Sequence, residues 1–142
     1  MNPIAISLAA LVVSTVSASF TGYVLFHDRP RVKAKSVFHS GWEGSEPSVS
    51  ISIVNVGRRP IVLRLWRGED LEGNVVGTYL QHPEGVTLTE RKRYDMRLRK
   101  VDLVATTPGD DVLVRSIHFE DTLDQLLEIK DIRKNLAHLW ES

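Results

Sequence analysis

Two hydrophobic periods divide the chain. Ile4 to Phe26 reads IAISLAALVVSTVSASFTGYVLF, apolar or small on every side and without a charge. As a helix it would reach about 35 Å, enough to cross a hydrocarbon core of about 30 Å with some tilt. A helix buried in a soluble domain normally keeps a polar edge, and this one has none. Val16-Ser17-Ala18 has the small residues of a signal-peptide cleavage site. However, Met1-Asn2-Pro3 lacks the basic side chain of a signal n-region, and apolar residues continue past the site through Leu25 and Phe26. The pattern predicts an uncleaved transmembrane helix over residues 1–27, with its span at 4–26.

Beyond this stretch the period is two. Val32 to His39 alternates and ends at a Gly/Ser/Pro-rich loop, Ser40 to Pro47. Val49, Ile51 and Ile53 alternate with Ser48, Ser50 and Ser52, the pattern of a strand with one buried face. Asn55 to Pro60 reads as a turn in which Asn55 and Gly57 tolerate positive φ and Pro60 opens the next strand. Ile61 to Arg67, Val75 to Leu80, Val86 to Thr89 and Tyr94 to Leu98 follow, the first two separated by a polar turn at Gly68 to Asn74. After a turn at Thr107-Pro108-Gly109-Asp110, Val112 to Phe119 reads as one strand, with Val112, Val114 and Ser116 opposite Leu113, Arg115 and Ile117. Seven or eight short strands at this spacing predict a mainly β domain, an antiparallel sandwich, over residues 36–142.

The C-terminus allows two readings. Thr122 to Trp140 is either one amphipathic helix, or a turn at Asp121 to Asp124, a returning strand over Gln125 to Lys130 and a short helix over 132–140. The second is preferred, because sequence-adjacent strands pair most of the time and the strand before it would otherwise lack such a partner.

Charge sets an orientation. All 18 basic and all 18 acidic side chains lie beyond His27. The segment 28–35 that follows the span is basic, carrying Arg29, Arg31, Lys33 and Lys35 against Asp28. The positive-inside bias then places the C-terminal domain in the cytoplasm, in a bacterial cell at the inner membrane, with Tyr23 and Phe26 at the inner headgroup level. Within the span, Ala10, Ser14, Ala18 and Gly22 recur every four residues. Such a small-residue stripe lets helix backbones approach, so self-association through the span is an expected partner mode.

The uncharged span, Asp28-Arg29-Pro30-Arg31, the alternating strand, Ser52-Ile53-Val54-Asn55-Val56-Gly57-Arg58-Arg59-Pro60-Ile61 and the late Phe119-Glu120-Asp121-Thr122-Leu123 together resemble a loose group of small uncharacterised bacterial membrane proteins. The resemblance covers nearly the whole chain. It implies one N-terminal membrane anchor and an immunoglobulin-like β-sandwich on its cytoplasmic side, and it carries no activity. Where such proteins often have glycine after the Asp-x-Leu turn, this chain has Asp124.

Chemistry is sparse. Cysteine is absent, and the five histidines (27, 39, 82, 118 and 138) include no pair at metal-ligand spacing, so no metal site and no cofactor is expected. There is no nucleophile elbow and no glycine-rich phosphate loop. His118 near Glu120 and Asp121 is the one acid–base cluster, and solvated structure explains it more simply than general-base work. Asp110-Asp111 reads as a turn, with too few oxygen ligands nearby for calcium. One uneven surface remains: Arg91, Lys92, Arg93, Arg97, Arg99 and Lys100. With Tyr94, Met96 and Leu98 turned inward, Arg93, Arg97 and Arg99 line the outer face beside Asp95. That suits anionic headgroups or an acidic partner. The plainer reading is a charged face that keeps a strand from pairing with other chains. No aromatic residue interleaves on that face, which argues against nucleic acid. The expectation is a non-enzymatic, membrane-anchored module that binds a protein partner in the cytoplasm. The alternative is an accessory subunit of a membrane complex that acts through its span.

Overall fold

The computed structural model describes residues 3–27, 31–42, 44–80, 84–107 and 110–142. Helix α1 (Pro3–His27) is followed by β1 (Val32–His39), β2 (Ser48–Asn55), β3 (Ile61–Glu69), β4 (Val75–Tyr79), β5 (Val86–Leu88) and β6 (Arg93–Arg99). One helical turn, α2 (Lys100–Leu103), leads to β7 (Val104–Thr107), β8 (Asp110–Leu113), β9 (Ser116–Asp121), β10 (Leu126–Glu128) and α3 (Ile132–Glu141). Among the described residues, two antiparallel sheets carry the domain. One has the order β1-β2-β6; the other has β10-β9-β3-β4, with β5 also paired to β3. A small hairpin, β7–β8, stands apart from both.

The two sheets share one hydrophobic core. Val49, Ile51 and Ile53 of β2 are fully buried, as their alternation with serine requires. Leu98 of β6, Leu63 and Trp66 of β3, and Ile117 and Phe119 of β9 complete the centre. Tyr94 meets Phe119 edge to face at 6.5 Å between ring centroids, a contact from one sheet to the other. Helix α3 follows a reversal at Lys130, whose backbone bonds Ala34 and Ser36 of β1. It buries Ile132, Leu136 and Leu139, spaced to share one helix face, against β1 and β9. The Trp140 indole N–H donates to the Val114 carbonyl at 2.8 Å. Among the described side chains, none of α1 belongs to this core.

The C-terminus is a hairpin and a short helix, the preferred of the two readings. β10 pairs antiparallel with β9, and the turn between them is organised by Asp121. Its Oδ1 accepts the Leu123 N–H at 2.8 Å and the Gln125 N–H at 2.9 Å. Asp124 takes φ 57, the left-handed position, which aspartate tolerates better than most residues.

Four expectations need correction. The sheet domain starts before residue 36, since Val32 already pairs with Asn55, so Lys33 and Lys35 of the 28–35 segment belong to a strand. The single strand Val112 to Phe119 is two strands, broken at 114–115. Val114 is buried, yet so are Ile117 and Phe119, which shifts the inward phase by one residue. The Arg115 N–H is diverted to the Glu69 carbonyl at 2.7 Å, and the strand restarts in the other phase. Gly68 lies inside β3 and not in the turn after it. A Cβ there would stand 2.8 Å from Val114 Cγ1, so only glycine lets these segments close. Finally, neither Asn55 nor Gly57 has positive φ.

Asn55 does different work. It is fully buried at the end of β2. Its amide nitrogen donates to the carbonyls of Arg59 and Leu88, each at 2.8 Å, and its Oδ1 accepts the Gly57 N–H at 2.9 Å. Its backbone N–H donates to the Lys92 carbonyl at 3.1 Å, and its own carbonyl accepts the Arg91 N–H at 2.8 Å. Through side chain and backbone together, this one residue ties the β2–β3 turn to β5 and the β5–β6 turn.

Candidate functional site

Helix α1 carries apolar residues all round, and Pro3–Leu25 is long and apolar enough to cross a membrane. Its described side chains are all exposed. Five of its hydroxyls are turned back on the helix: Thr15 and Ser14 donate to the Leu11 carbonyl, Ser19 to Thr15, Thr21 to Ser17 and Ser7 to Pro3, all within 3.1 Å. That satisfies these polar groups without water, as hydrocarbon surroundings demand. Ala10, Ser14, Ala18 and Gly22 lie exposed along one side of α1, and a Cβ added at Gly22 would meet nothing within 4 Å. Tyr23 is exposed near the C-terminal end of the helix, while the Phe26 side chain and Arg29 lie outside the described residues.

The basic residues are arranged by the β1-β2-β6 sheet. Arg93, Arg97 and Arg99 do alternate outward on β6, with Tyr94, Met96 and Leu98 turned to the core. Arg91 and Lys92 sit on the β5–β6 turn, Arg91 at φ 60, and Lys100 begins α2. The register adds what separate stretches of sequence cannot show. Lys33, Val54 and Arg93 form one outward row across the three strands, and Lys35, Ser52 and Asp95 form the next. Val37, Ser50 and Arg97 follow, then His39, Ser48 and Arg99. Lys33, Lys35 and the β6 arginines therefore share one face, with a column of serines between them.

That face is partly self-compensated. The Ser52 hydroxyl donates to Asp95 Oδ1 at 2.6 Å, and Arg93 reaches both Asp95 at 2.7 Å and Ser52 at 2.8 Å. Ser52 first, then Arg93, hold the Asp95 carboxyl below the ordinary carboxylate range. Arg97 Nε donates to the Ser48 hydroxyl at 2.7 Å. Arg99 stands 3.5 Å from Asp102 and 3.8 Å from Glu46. Two clefts open on this face, of about 500 and 390 Å³. The larger is walled by Lys33, Lys35, Arg93 and Lys130 over Ser52 and Val54.

Among the described residues, the acidic and histidine side chains do not gather. Asp121 is buried and caps its turn, while His118 faces outward between Arg67 of β3 and Glu128 of β10. Glu120 binds Arg64, which also reaches Asp124 at 2.8 Å. The Asp110 and Asp111 side chains lie outside the described residues. Among the described residues, no three His, Asp or Glu side chains come together as metal ligands would.

No protein-family model and no curated protein matches this chain. Among solved structures, it is similar to the X-ray structure of Northeast Structural Genomics Consortium target SoR45. That similarity is 15% identity over 71% of this chain and 80% of that one, at a TM-score of 0.33, which decides nothing about function.

Proposed function

We propose that this chain is a single-pass inner-membrane protein whose β domain faces the cytoplasm and binds a protein partner there without catalysing a reaction. The observation that carries this is the pairing of a fully exposed apolar helix with a separately cored two-sheet domain that begins at Val32. Orientation rests on the basic residues that follow the span, Arg29, Arg31, Lys33 and Lys35.

The strand order supports an immunoglobulin-like reading of the domain. β1, β2 and β6 answer to strands A, B and E of that fold, and β10, β9, β3 and β4 to G, F, C and C′. β5 departs from the pattern by joining β3. Both the strand order and the basic flank after the span favour kinship with the small anchored bacterial proteins that the sequence resembles. The engagement of Asp95, Glu120 and Asp121 in structural bonds favours a binding role over acid–base chemistry.

A second reading rests on the small-residue stripe of α1, which suits close helix packing and hence an accessory subunit acting through its span. Affinity capture separates the two. The full chain and a soluble fragment starting at Arg31 should retain the same cytoplasmic partners. Loss of every partner with the span would favour the accessory subunit.

A further inference from the structure

The chain enters the β domain at one end, and that end is basic. The Arg31 carbonyl accepts the N–H groups of Val56 at 2.8 Å and Gly57 at 3.1 Å, which fixes the entry point beside the β2–β3 turn. That turn exposes Arg58 and Arg59. Asn55 ties it to the β5–β6 turn, where Arg91 and Lys92 are exposed. Lys33 and Arg93 continue the charge onto the sheet face, with the 500 Å³ cleft between them. Three runs far apart in sequence, at 31–35, 58–59 and 91–93, are thus drawn to one pole by the Arg31 carbonyl and the hydrogen bonds of one buried asparagine. Glu90 lies 3.9 Å from Arg91, Asp95 is bound to Arg93, and Asp124 to Arg64. The opposite end is mixed: Arg99 stands near Glu46 and Asp102, and Glu69, Asp70 and Glu72 lie at the end of β3 and in the turn after it.

Distance selects the ligand. From His27, the last residue of α1, to Arg31 the chain reaches at most about 14 Å when fully extended. A basic pole held that close to a bilayer lies within one or two Debye lengths of its headgroups, where anionic lipid attracts each basic side chain.

We propose that this pole, built from Arg31, Arg58, Arg59, Arg91 and Lys92 and continued by Lys33, docks on the anionic headgroups of the membrane that α1 spans. The proposal rests on the reading that α1 is a membrane span with the domain on its cytoplasmic side. It assigns the pole to lipid and leaves the outer sheet faces and the far end to a protein partner.

The test uses the full chain in lipid nanodiscs. Because the protein has no cysteine, Thr89→Cys on the β5–β6 turn and Leu71→Cys at the far end each offer a single labelling site. Energy transfer from a fluorophore at each position to a headgroup-labelled lipid is read in discs of phosphatidylcholine, with and without phosphatidylserine. Transfer at position 89 should exceed that at 71 and should rise when phosphatidylserine is present. The rise should disappear as salt goes from about 0.1 M to about 1 M and the Debye length shrinks from about 10 Å to about 3 Å. The combined Arg58→Gln, Arg59→Gln, Arg91→Gln and Lys92→Gln variant should abolish the rise, while Arg97→Gln with Arg99→Gln should leave it. The salt titration carries the same test on a chain with its basic pole intact.

Equal transfer in the two lipids, or stronger transfer at 71, overturns the proposal. Indifference to lipid together with loss of captured protein in the fourfold variant gives the pole to an acidic protein partner and also overturns it. Failure of the underlying span reads differently: the labelled chain would not co-purify with the discs.

Discussion

Asn55 should be the most sensitive polar position in the domain. Its amide holds the carbonyls of Arg59 and Leu88, and both would be stranded by Asn55→Asp, a change that keeps the side chain's shape. Each buried group left unsatisfied costs about 1–3 kcal/mol. A carboxylate facing two carbonyl oxygens adds desolvation and repulsion, so the loss at pH 7 should be about 3–5 kcal/mol. Against a typical total of about 5–15 kcal/mol, that lowers the midpoint of thermal unfolding by roughly 15 °C. The substitution also carries a pH signature. Burial would raise the folded carboxyl pKa above the unfolded value of about 3.9, so the folded state binds the extra proton between the two values. Stability of this variant should therefore fall as pH rises through its folded pKa and recover toward pH 4, where the protonated acid regains one donor. Asn55→Ala should be destabilised without that pH dependence. The assay is thermal unfolding of the soluble fragment from Arg31, followed by circular dichroism between about pH 4 and pH 8, a window chosen to bracket carboxyl titration. An Asn55→Asp variant as stable as the parent, or one with the same pH profile as Asn55→Ala, would refute the role given to this side chain.

Other outcomes follow from the same geometry. The fragment beginning at Arg31 should fold without α1 and give a β-rich spectrum, since none of the described α1 side chains enters the core. In it, Ile51→Asp should cost more than about 4 kcal/mol by burying an unpaired carboxylate, whereas Ser50→Asp on the outward face should be mild in chemical denaturation. The Asp70 carboxylate accepts the N–H groups of Glu72 and Asn74 and the Asn74 amide, and the Asn74 amide first of all holds it below its ordinary value of 3.8. A depressed folded pKa gives stability that is present above the unfolded value and lost as pH falls through the folded one. The stability gap between the parent and Asp70→Ala should therefore close in acid, as acid titration of the two would show.

The parts of the fold that sequence made legible were those with an unbroken period. β2 and β6 alternate cleanly and turn the expected residues to the core, and the Leu136–Leu139 stripe marks α3. What escaped was set by tertiary contacts. The phase change between Val114 and Ile117 depends on a bond to Glu69 in another strand. Gly68 looked like turn chemistry, yet it is a close approach to Val114 inside β3. The Lys100–Leu103 turn and the β7 strand had no periodic signal long enough to read. Asn55 looked like a residue of φ tolerance and is instead a buried hydrogen-bonding hub. The basic surface is two separate runs in the sequence, and only the β1-β2-β6 register places Lys33 in one row with Arg93, across Val54.

The central claim is the side of the membrane on which the domain lies. Alkaline phosphatase and a cytoplasmic fluorescent reporter, each fused after Ser142 of the full chain in a bacterial host, test it most directly. The phosphatase fusion should be silent and the fluorescent fusion bright, with both proteins held in the membrane pellet after alkaline carbonate. Neutralising Arg31, Lys33 and Lys35 together should mix the two signals. An active phosphatase with a dark fluorescent reporter would place the domain outside, and a chain released by carbonate would remove the anchor itself.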